Sequence, residues 1–238
     1  MIDPAQTDVL VLAGGFGTRL RAVVSDRPKP LAEILGRPFL HYILQQVRAA
    51  GFRRAILCTG DRAQQVEDRL RDDSKGVDLV FSAEKTPLGT AGALGLAAPL
   101  VRSSHALVLN GDSYVDSDFR AFCDWYGKAG FGVGVLGVRV PDAARYGAVA
   151  IADDGRITAF TEKTGLEQPG WINGGVYLIE RARLAAIPCD RPVSLETDVF
   201  PGWVAEGAMG AYQVHDRFID IGTPESYAAA TAFFEPAS

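Results

Sequence analysis

Two cations and a run of glycines near the amino end have the spacing of a polyphosphate site. The β-branched run Val9-Leu10-Val11 leads into Leu12-Ala13-Gly14-Gly15-Phe16-Gly17-Thr18-Arg19, and Lys29 follows between Pro28 and Pro30. Glycine has no Cβ, so the backbone N–H groups of such a loop can approach phosphate oxygens closely. Arg19 and Lys29 can then neutralise the charge. Two aspartates stand at the ends of other apolar runs: Asp112 after Asn110-Gly111, and Asp220 between Ile219 and Ile221. An unpaired buried carboxylate is costly. Magnesium relieves that cost, because it takes oxygen ligands and often uses one or two carboxylates with substrate phosphates. These residue types point to magnesium-dependent phosphate transfer. The loop is not a Walker A sequence, and Leu20 stands where a dinucleotide fingerprint needs its third glycine. Alone, the loop fits a tight turn equally well.

Strand ends must position these groups. Residues 9–12 read as a buried strand. Residues 38–50 read as a helix with Pro38 at its first position, apolar at Phe39, Leu40, Ile43, Leu44 and Val47 and stopped by Gly51. Strands over 55–58, 77–81, 106–109 and 132–138 alternate with helices over 63–71 (Asp61 as N-cap), 90–100 and 119–128. This order predicts a parallel sheet with helices on both faces and right-handed connections. Ligands of such sheets bind at the carboxyl ends of the strands, which selects the loops at 13–19, 110–112 and 220–222. The pattern changes near residue 140. A hairpin over 148–152 and 156–161 turns at Asp153-Asp154-Gly155. A strand over 174–179, a helix opened by Ser194, strands over 209–215 and 218–221 and a closing helix over 224–234 come next. The second half reads as a mixed sheet added to the first, within a single domain over 1–238.

Composition narrows the partners. The 238 residues are 47% hydrophobic, and the net charge of −5 argues against a general nucleic-acid binder. The start of the chain lacks a signal-peptide layout, and no apolar run is long enough for a bilayer. Cys58, Cys123 and Cys189 are scattered, as are His41, His105 and His215. Neither a disulfide framework nor a zinc site is expected. The expectation is a cytoplasmic chain with no membrane or nucleic-acid partner; a homo-oligomer stays open.

Taken together, the motifs carry a family resemblance. The segment 12–20 with Arg27-Pro28-Lys29-Pro30-Leu31 resembles the signature of the sugar-1-phosphate nucleotidylyltransferases, or NDP-sugar pyrophosphorylases. In order come Pro87-Leu88-Gly89-Thr90-Ala91-Gly92, Asn110-Gly111-Asp112, Tyr146-Gly147, Glu162-Lys163, Asn173-Gly174-Gly175, Glu196 and Asp220-Ile221-Gly222-Thr223-Pro224. The resemblance implies a Rossmann-like three-layer α/β/α fold with a small sugar-binding lobe. Residues 1–140 would form the nucleotide-binding half and 141–238 the sugar-binding half. It also implies a reaction: a sugar 1-phosphate attacks the α-phosphorus of a nucleoside triphosphate and releases pyrophosphate. Arg19 would hold the β- and γ-phosphates, Lys29 the α-phosphate, and Asp112 and Asp220 a Mg2+ ion. Leu12, Ala13, Gly14, Gly15, Gly17, Thr18, Glu84, Pro87, Gly89, Thr90 and Gly111 would bind the nucleotide. Lys163 would hold the sugar phosphate, while Tyr146, Gly147, Glu162, Asn173, Gly174 and Glu196 would read the sugar.

The stretch 21–32 with Gly36-Arg37-Pro38-Phe39-Leu40, and 218–227, are most similar to the D-glycero-D-manno-heptose 1-phosphate guanylyltransferases. The left-handed β-helix of acetyltransferase-fused relatives is not expected. Leu31 stands where that branch commonly has methionine, and Glu33 where it has proline. A mannose 1-phosphate guanylyltransferase, or a thymidylyl- or uridylyltransferase for a hexose 1-phosphate, is the alternative. A non-catalytic regulatory subunit fits less well, since every charged group of the pattern is present. Plainer roles also exist: a turn for Asp112, surface pairing for Lys163, a hairpin at Asn173-Gly174, and service to a helix first turn for Glu196.

Overall fold

A computed structural model describes residues 2–15, 20, 23–24, 26–60, 62–71, 74, 76–161 and 168–235. The chain opens with β1 (Asp8–Leu12), a short hairpin of β2 (Glu33–Ile34) and β3 (Arg37–Pro38), and α1 (Phe39–Ala49). Then come β4 (Arg54–Thr59), α2 (Ala63–Leu70), β5 (Asp78–Ala83), α3 (Gly89–Ala97) and β6 (His105–Asn110). Next are β7 (Ser113–Val115), α4 (Phe119–Ala129), β8 (Val133–Val140), β9 (Ala148–Ile151), β10 (Ile157–Thr161) and β11 (Gly170–Glu180). The remainder is α5 (Arg181–Ala185), a π-helical turn (Leu195–Val199) running into α6 (Phe200–Ala205), β12 (Met209–Val214), β13 (Phe218–Asp220) and α7 (Pro224–Phe234).

Among the described residues nine strands form one sheet, whose main path is β5-β4-β1-β6-β11-β8-β12, with β9 and β10 branching from the first half of β11. β5, β4, β1 and β6 are parallel, whereas β11 is antiparallel to both β6 and β8. Strand residues alternate between two cores. Val9, Val11, Leu57, Leu107 and Leu109 face a layer with α1, α2, α4 and α7 residues. Leu10, Ile56, Ala106 and Val108 face a layer with α3 and α6 residues. A doubly covered parallel sheet needs both faces apolar, and this alternation of two apolar sets supplies them.

The structure revises several expectations. β11 is longer than the strand expected over 174–179. It inserts between β6 and β8 and begins at Gly170, so Asn173-Gly174 lies inside a strand, where the register with β8 shifts, and not in a hairpin turn. Pro38 precedes α1 as its N-cap. The residue before α2 is Arg62, in a left-handed conformation, while Asp61 lies outside the described residues. Asp220 does not end a strand of the parallel sheet: β13 pairs only with β7, as a separate antiparallel ribbon.

At the amino end of β1 one charge is fully engaged. Asp8 is 7% exposed and Arg54 12%. Arg54 Nη1 donates to Asp8 Oδ1 at 2.7 Å, and the backbone N–H groups of Arg102 and Ser103 donate to Oδ2 at 2.5 and 3.1 Å. Burial alone opposes ionisation of Asp8, but Arg54 and these two amides outweigh it and hold the carboxyl below its usual range. Asp8→Ala takes the carboxylate from a largely buried guanidinium, which keeps only Leu100 O and a distant Asp78, and leaves two amides without their acceptor; it should lower unfolding free energy by about 3 kcal/mol in urea titrations. A depressed carboxyl stabilises above its unfolded value of about 4 and loses that contribution in acid. The gap between wild type and D8A should therefore close as pH falls. A loss under about 1 kcal/mol at neutral pH would contradict the assignment.

Candidate active site

The chain leaves β1 toward β4 on one side, while β6 pairs β1 on the other. A crevice must open where the strand order reverses, at the carboxyl ends of β1 and β6. The two chain segments are in contact there. Gly111 N donates to Leu12 O at 2.9 Å, and a Cβ on Gly111 would stand 2.3 Å from that oxygen. Ala13 N donates to Cys58 O at 2.8 Å. A Cβ on Gly14 would meet Gly60 N at 3.0 Å and Glu84 Oε1 at 3.2 Å. Gly111 is thus required by chain packing on chain, and Gly14 leaves a side chain only a tight fit. Gly15 differs: among the described residues nothing lies within 4 Å of the position of its missing Cβ. Glu84 Oε2 accepts from Leu88 N at 3.0 Å, and burial pushes the Glu84 carboxyl above its ordinary value.

Lys29 starts a 3-10 turn (Lys29–Leu31) whose Pro30 and Leu31 are buried. The two prolines fix φ and aim the lysine at the crevice. Its Nζ lies 2.5 Å from Asp112 Oδ2, with the lysine side chain 11% exposed and the aspartate 43%. Asp220 arrives beside this pair through the β7–β13 ribbon, which sets it opposite Ser113. Ile221 N then donates to Asp112 O at 2.9 Å, and Gly222 N to Asp220 Oδ1 at 2.8 Å. A Cβ on Gly222 would stand 3.6 Å from Lys29 Nζ. Burial, and next the Asp220 carboxylate at its hydroxyl, push Tyr146 up to about 12. Lys29, Asp112, Tyr146 and Asp220 therefore share one cluster built from four distant segments. Gly147 follows Tyr146 as an exposed residue.

A third group joins the halves of the chain. Asn173 Nδ2 donates to the Tyr177 hydroxyl at 2.7 Å, and Asn173 Oδ1 accepts from Gly175 N at 3.0 Å. Burial, then Glu196, raise the Tyr177 hydroxyl strongly, while Asn173 and Asn110 side chains bond to it. Gly174 lies where a Cβ would meet Leu136 O at 2.8 Å, and its own carbonyl accepts from Ser113 Oγ at 3.5 Å. Thr90 sits in the first turn of α3, between exposed Gly89 and buried Ala91, with Pro87 exposed just before. Its hydroxyl accepts from Leu195 N at 2.8 Å.

Of the expected site residues, Leu12, Ala13, Gly14, Glu84 and Gly111 gather at the strand ends. Lys29, Asp112, Tyr146 and Asp220 gather beside them, and Asn173, Gly174, Thr90 and Glu196 line the far side. Gly17, Thr18, Arg19, Glu162 and Lys163 lie outside the described residues. Sequence reading missed Tyr177 and the Asn110 side chain. The available signal was a tyrosine in an otherwise aliphatic run, Val176 to Ile179, since a buried phenol needs a partner.

Residues 8–236 match the Nucleotidyl transferase family. The chain is 36% identical over 230 residues to a mannose-1-phosphate guanylyltransferase of Mycobacterium tuberculosis, covering 95% of this chain and 64% of that protein. It thus spans less than two thirds of that relative. It is 33% identical over 223 residues to a D-glycero-alpha-D-manno-heptose 1-phosphate guanylyltransferase of Aneurinibacillus thermoaerophilus, covering 94% of this chain and 96% of that protein. The crystal structure of HddC from Yersinia pseudotuberculosis superposes with a TM-score of 0.87 at 35% identity, over 96% of this chain and 100% of that one. Its complex with GMP-PN gives the same score at 34% identity. With the parallel core, the crevice and the ordered motifs already in place, these matches show that the chain belongs to the Nucleotidyl transferase family.

Proposed function

We propose that the chain transfers a guanylyl group from GTP to D-glycero-α-D-manno-heptose 1-phosphate, forming the nucleotide sugar and releasing pyrophosphate. The observation that carries this reading is the Lys29–Asp112–Asp220 constellation at the reversal of strand order. The acceptor phosphate has a second pKa of about 6 and is ionised near neutral pH. Its oxygen attacks the α-phosphorus directly, and no side chain has to remove a proton. The new O–P bond forms as the bond to the bridging oxygen breaks, and pyrophosphate leaves with the electron pair. The task of the protein is to bring two polyanions into line. Lys29 would stabilise charge on the α-phosphate, with Arg19 assigned to the leaving phosphates and Lys163 to the acceptor phosphate.

Asp112 and Asp220 offer hard carboxylate oxygens on adjacent segments, a donor set that suits Mg2+ completed by phosphate oxygens. That ion would supply charge neutralisation between the two phosphates. Among the described residues no cluster of three His, Cys, Asp or Glu side chains could hold a metal without such help. No helix among them is long and apolar enough to cross a membrane.

Two observations support guanine. The relatives named above are guanylyltransferases, and HddC was crystallised with GMP-PN. An ionised Glu84 only accepts hydrogen bonds, which suits the N1–H and N2–H2 edge of guanine. The acceptor follows the heptose relative. Mannose 1-phosphate, which shares the manno configuration, is the second reading and follows the mycobacterial relative.

Pyrophosphate release measured over a grid of nucleoside triphosphates and sugar 1-phosphates should be fastest with GTP and the manno-heptose phosphate. Turnover with TTP or UTP and a hexose phosphate alone would replace this reading, and binding without pyrophosphate release would favour a regulatory subunit. Lys29→Ala and Asp112→Asn should each lower kcat roughly 10^2- to 10^3-fold; full activity in both would remove the catalytic assignment. Glu84→Gln should lower kcat/KM for GTP roughly 10- to 100-fold, the loss of one charge-assisted contact. Protonation of Glu84 removes its charge and turns one of its acceptor oxygens into a donor. Because burial raises this carboxyl, the KM for GTP should climb on acidification earlier than an ordinary glutamate would cause. An acid limb that persists in E84Q would assign it elsewhere.

A further inference from the structure

Helix α3 has no side-chain cap at its amino end. The first N–H groups of a helix need acceptors, and here a distant backbone supplies one. Val193 O accepts from Ala91 N at 2.9 Å and from Gly92 N at 3.2 Å, while Val193 N donates to Leu88 O at 2.7 Å. The segment 187–193 lies along one stripe of α3. A Cβ on Gly89 would stand 2.5 Å from Val193 O, one on Gly92 3.1 Å from Arg191 O, and one on Gly95 2.6 Å from Ile187 O. The chain therefore enters the π-helical turn at Leu195 in a fixed register with Thr90.

Two hydroxyls then act alike on one carboxylate. Thr90 Oγ1 accepts from Leu195 N at 2.8 Å and donates to Glu196 Oε2 at 3.4 Å. Ser194 Oγ accepts from Thr197 N at 3.3 Å and donates to the same Oε2 at 3.2 Å. In each case the amide occupies a lone pair and leaves the hydroxyl proton for Glu196. Both bonds fall on Oε2, and among the described residues none falls on Oε1. The carboxylate stands close enough to Tyr177 to raise its hydroxyl. Glu196 is thus held by one oxygen, which leaves the other to meet a ligand.

We propose that Thr90 is a positioning residue that aims the Glu196 carboxylate at the acceptor sugar, and not a contact of the nucleobase. This rests on the reaction proposed above, and it separates Thr90 from the nucleotide contacts that its motif suggested. Thr90 reaches Glu196 across the two halves of the chain, so a nucleotide-side segment sets acceptor recognition.

Steady-state kinetics on Thr90→Val, nearly the same shape without the hydroxyl, test the proposal. T90V should raise KM for the sugar 1-phosphate about tenfold and change KM for GTP by less than about twofold. Thr90→Ser restores the hydroxyl and should stay within about twofold of wild type on both. In a Glu196→Ala background T90V should add nothing, as a residue acting only through another must. A rise in the GTP KM, or a full multiplicative effect in E196A, overturns the proposal. Should T90V not fold, Ser194→Ala decides: it removes the second donor and should shift the same acceptor KM, and no shift counts against the clamp. If wild type turns over no substrate pair, the reaction assignment fails, and amide exchange at Leu195 judges the clamp. Loss of protection in T90V with retention in T90S supports it, and equal protection in both overturns it.

Discussion

The ion pair between Lys29 and Asp112 is the constraint on which the site depends. A lysine ammonium almost withdrawn from water needs a carboxylate, and its ion-pair partner Asp112 reaches Lys29 because the turn after β6 is set against the segment before β2. That requires β6 to lie beside β1, with Gly111 pressed on the Leu12 carbonyl so closely that no other residue fits. The parallel order of the core strands is thus visible in the chemistry: a different neighbour for β1 would separate the cation from its anion by the width of a strand.

The C-terminal part of the chain serves the same pair. The β7–β13 ribbon is only three residues long, too short to be stable alone. Helix α7 keeps it in place. Thr223 and Ser226 form a reciprocal capping box that starts α7 immediately after Gly222. At the other end of α7 Phe234 packs on Phe39 and Tyr42 of α1 and on Tyr114 of β7. From its first half the Tyr227 hydroxyl donates to Glu33 O at 2.6 Å, and the Glu33 carboxylate accepts from Arg27 Nη1 at 2.6 Å. The segment that carries Lys29 and the segment that carries Asp220 are therefore tied to each other away from the crevice. Exposed ion pairs of this kind add little stability; here the geometry they fix matters more than their energy.

Local patterns in the sequence marked the elements well where one apolar stripe or run decided the matter. β1, α1, α4 and α7 lie within one or two residues of their expected bounds, because α1 and α4 show a clear helical periodicity, β1 is a continuous apolar run, and α7 opens with Thr223 and Pro224 at its amino end. What the sequence concealed was non-local. β7 is too short to carry a pattern, and its pairing with the expected strand near 218–221 joins residues about a hundred positions apart, so Asp220 was expected beside Asp112 from the end of a parallel strand and not from an antiparallel ribbon. The insertion of β11 between β6 and β8 was hidden for a related reason. A strand apolar on both faces says that it is central, but not which strands flank it. Asn173-Gly174 imitated a hairpin because a polar residue followed by glycine is the sign of a turn, and the same pair also suits a register shift within a long strand.

The use made of α3 shows how the two halves become one site. A helix amino end near a crevice is ordinarily a place for an anion, since its first N–H groups are unsatisfied and its dipole is positive there. In this chain those donors are taken by the Val193 carbonyl, so α3 has no free amides at Ala91 and Gly92 to give a phosphate. The helix is released for a structural task, to hold the segment that ends in Glu196. Its glycines at positions 89, 92 and 95 permit that contact, although glycine within a helix costs up to about 1 kcal/mol relative to alanine. At Gly92 and Gly95 the sequence accepts this cost and gives up helix stability for close approach, while Gly89 at φ +73 suits glycine in any case; the approach fixes the segment that ends in Glu196 against α3.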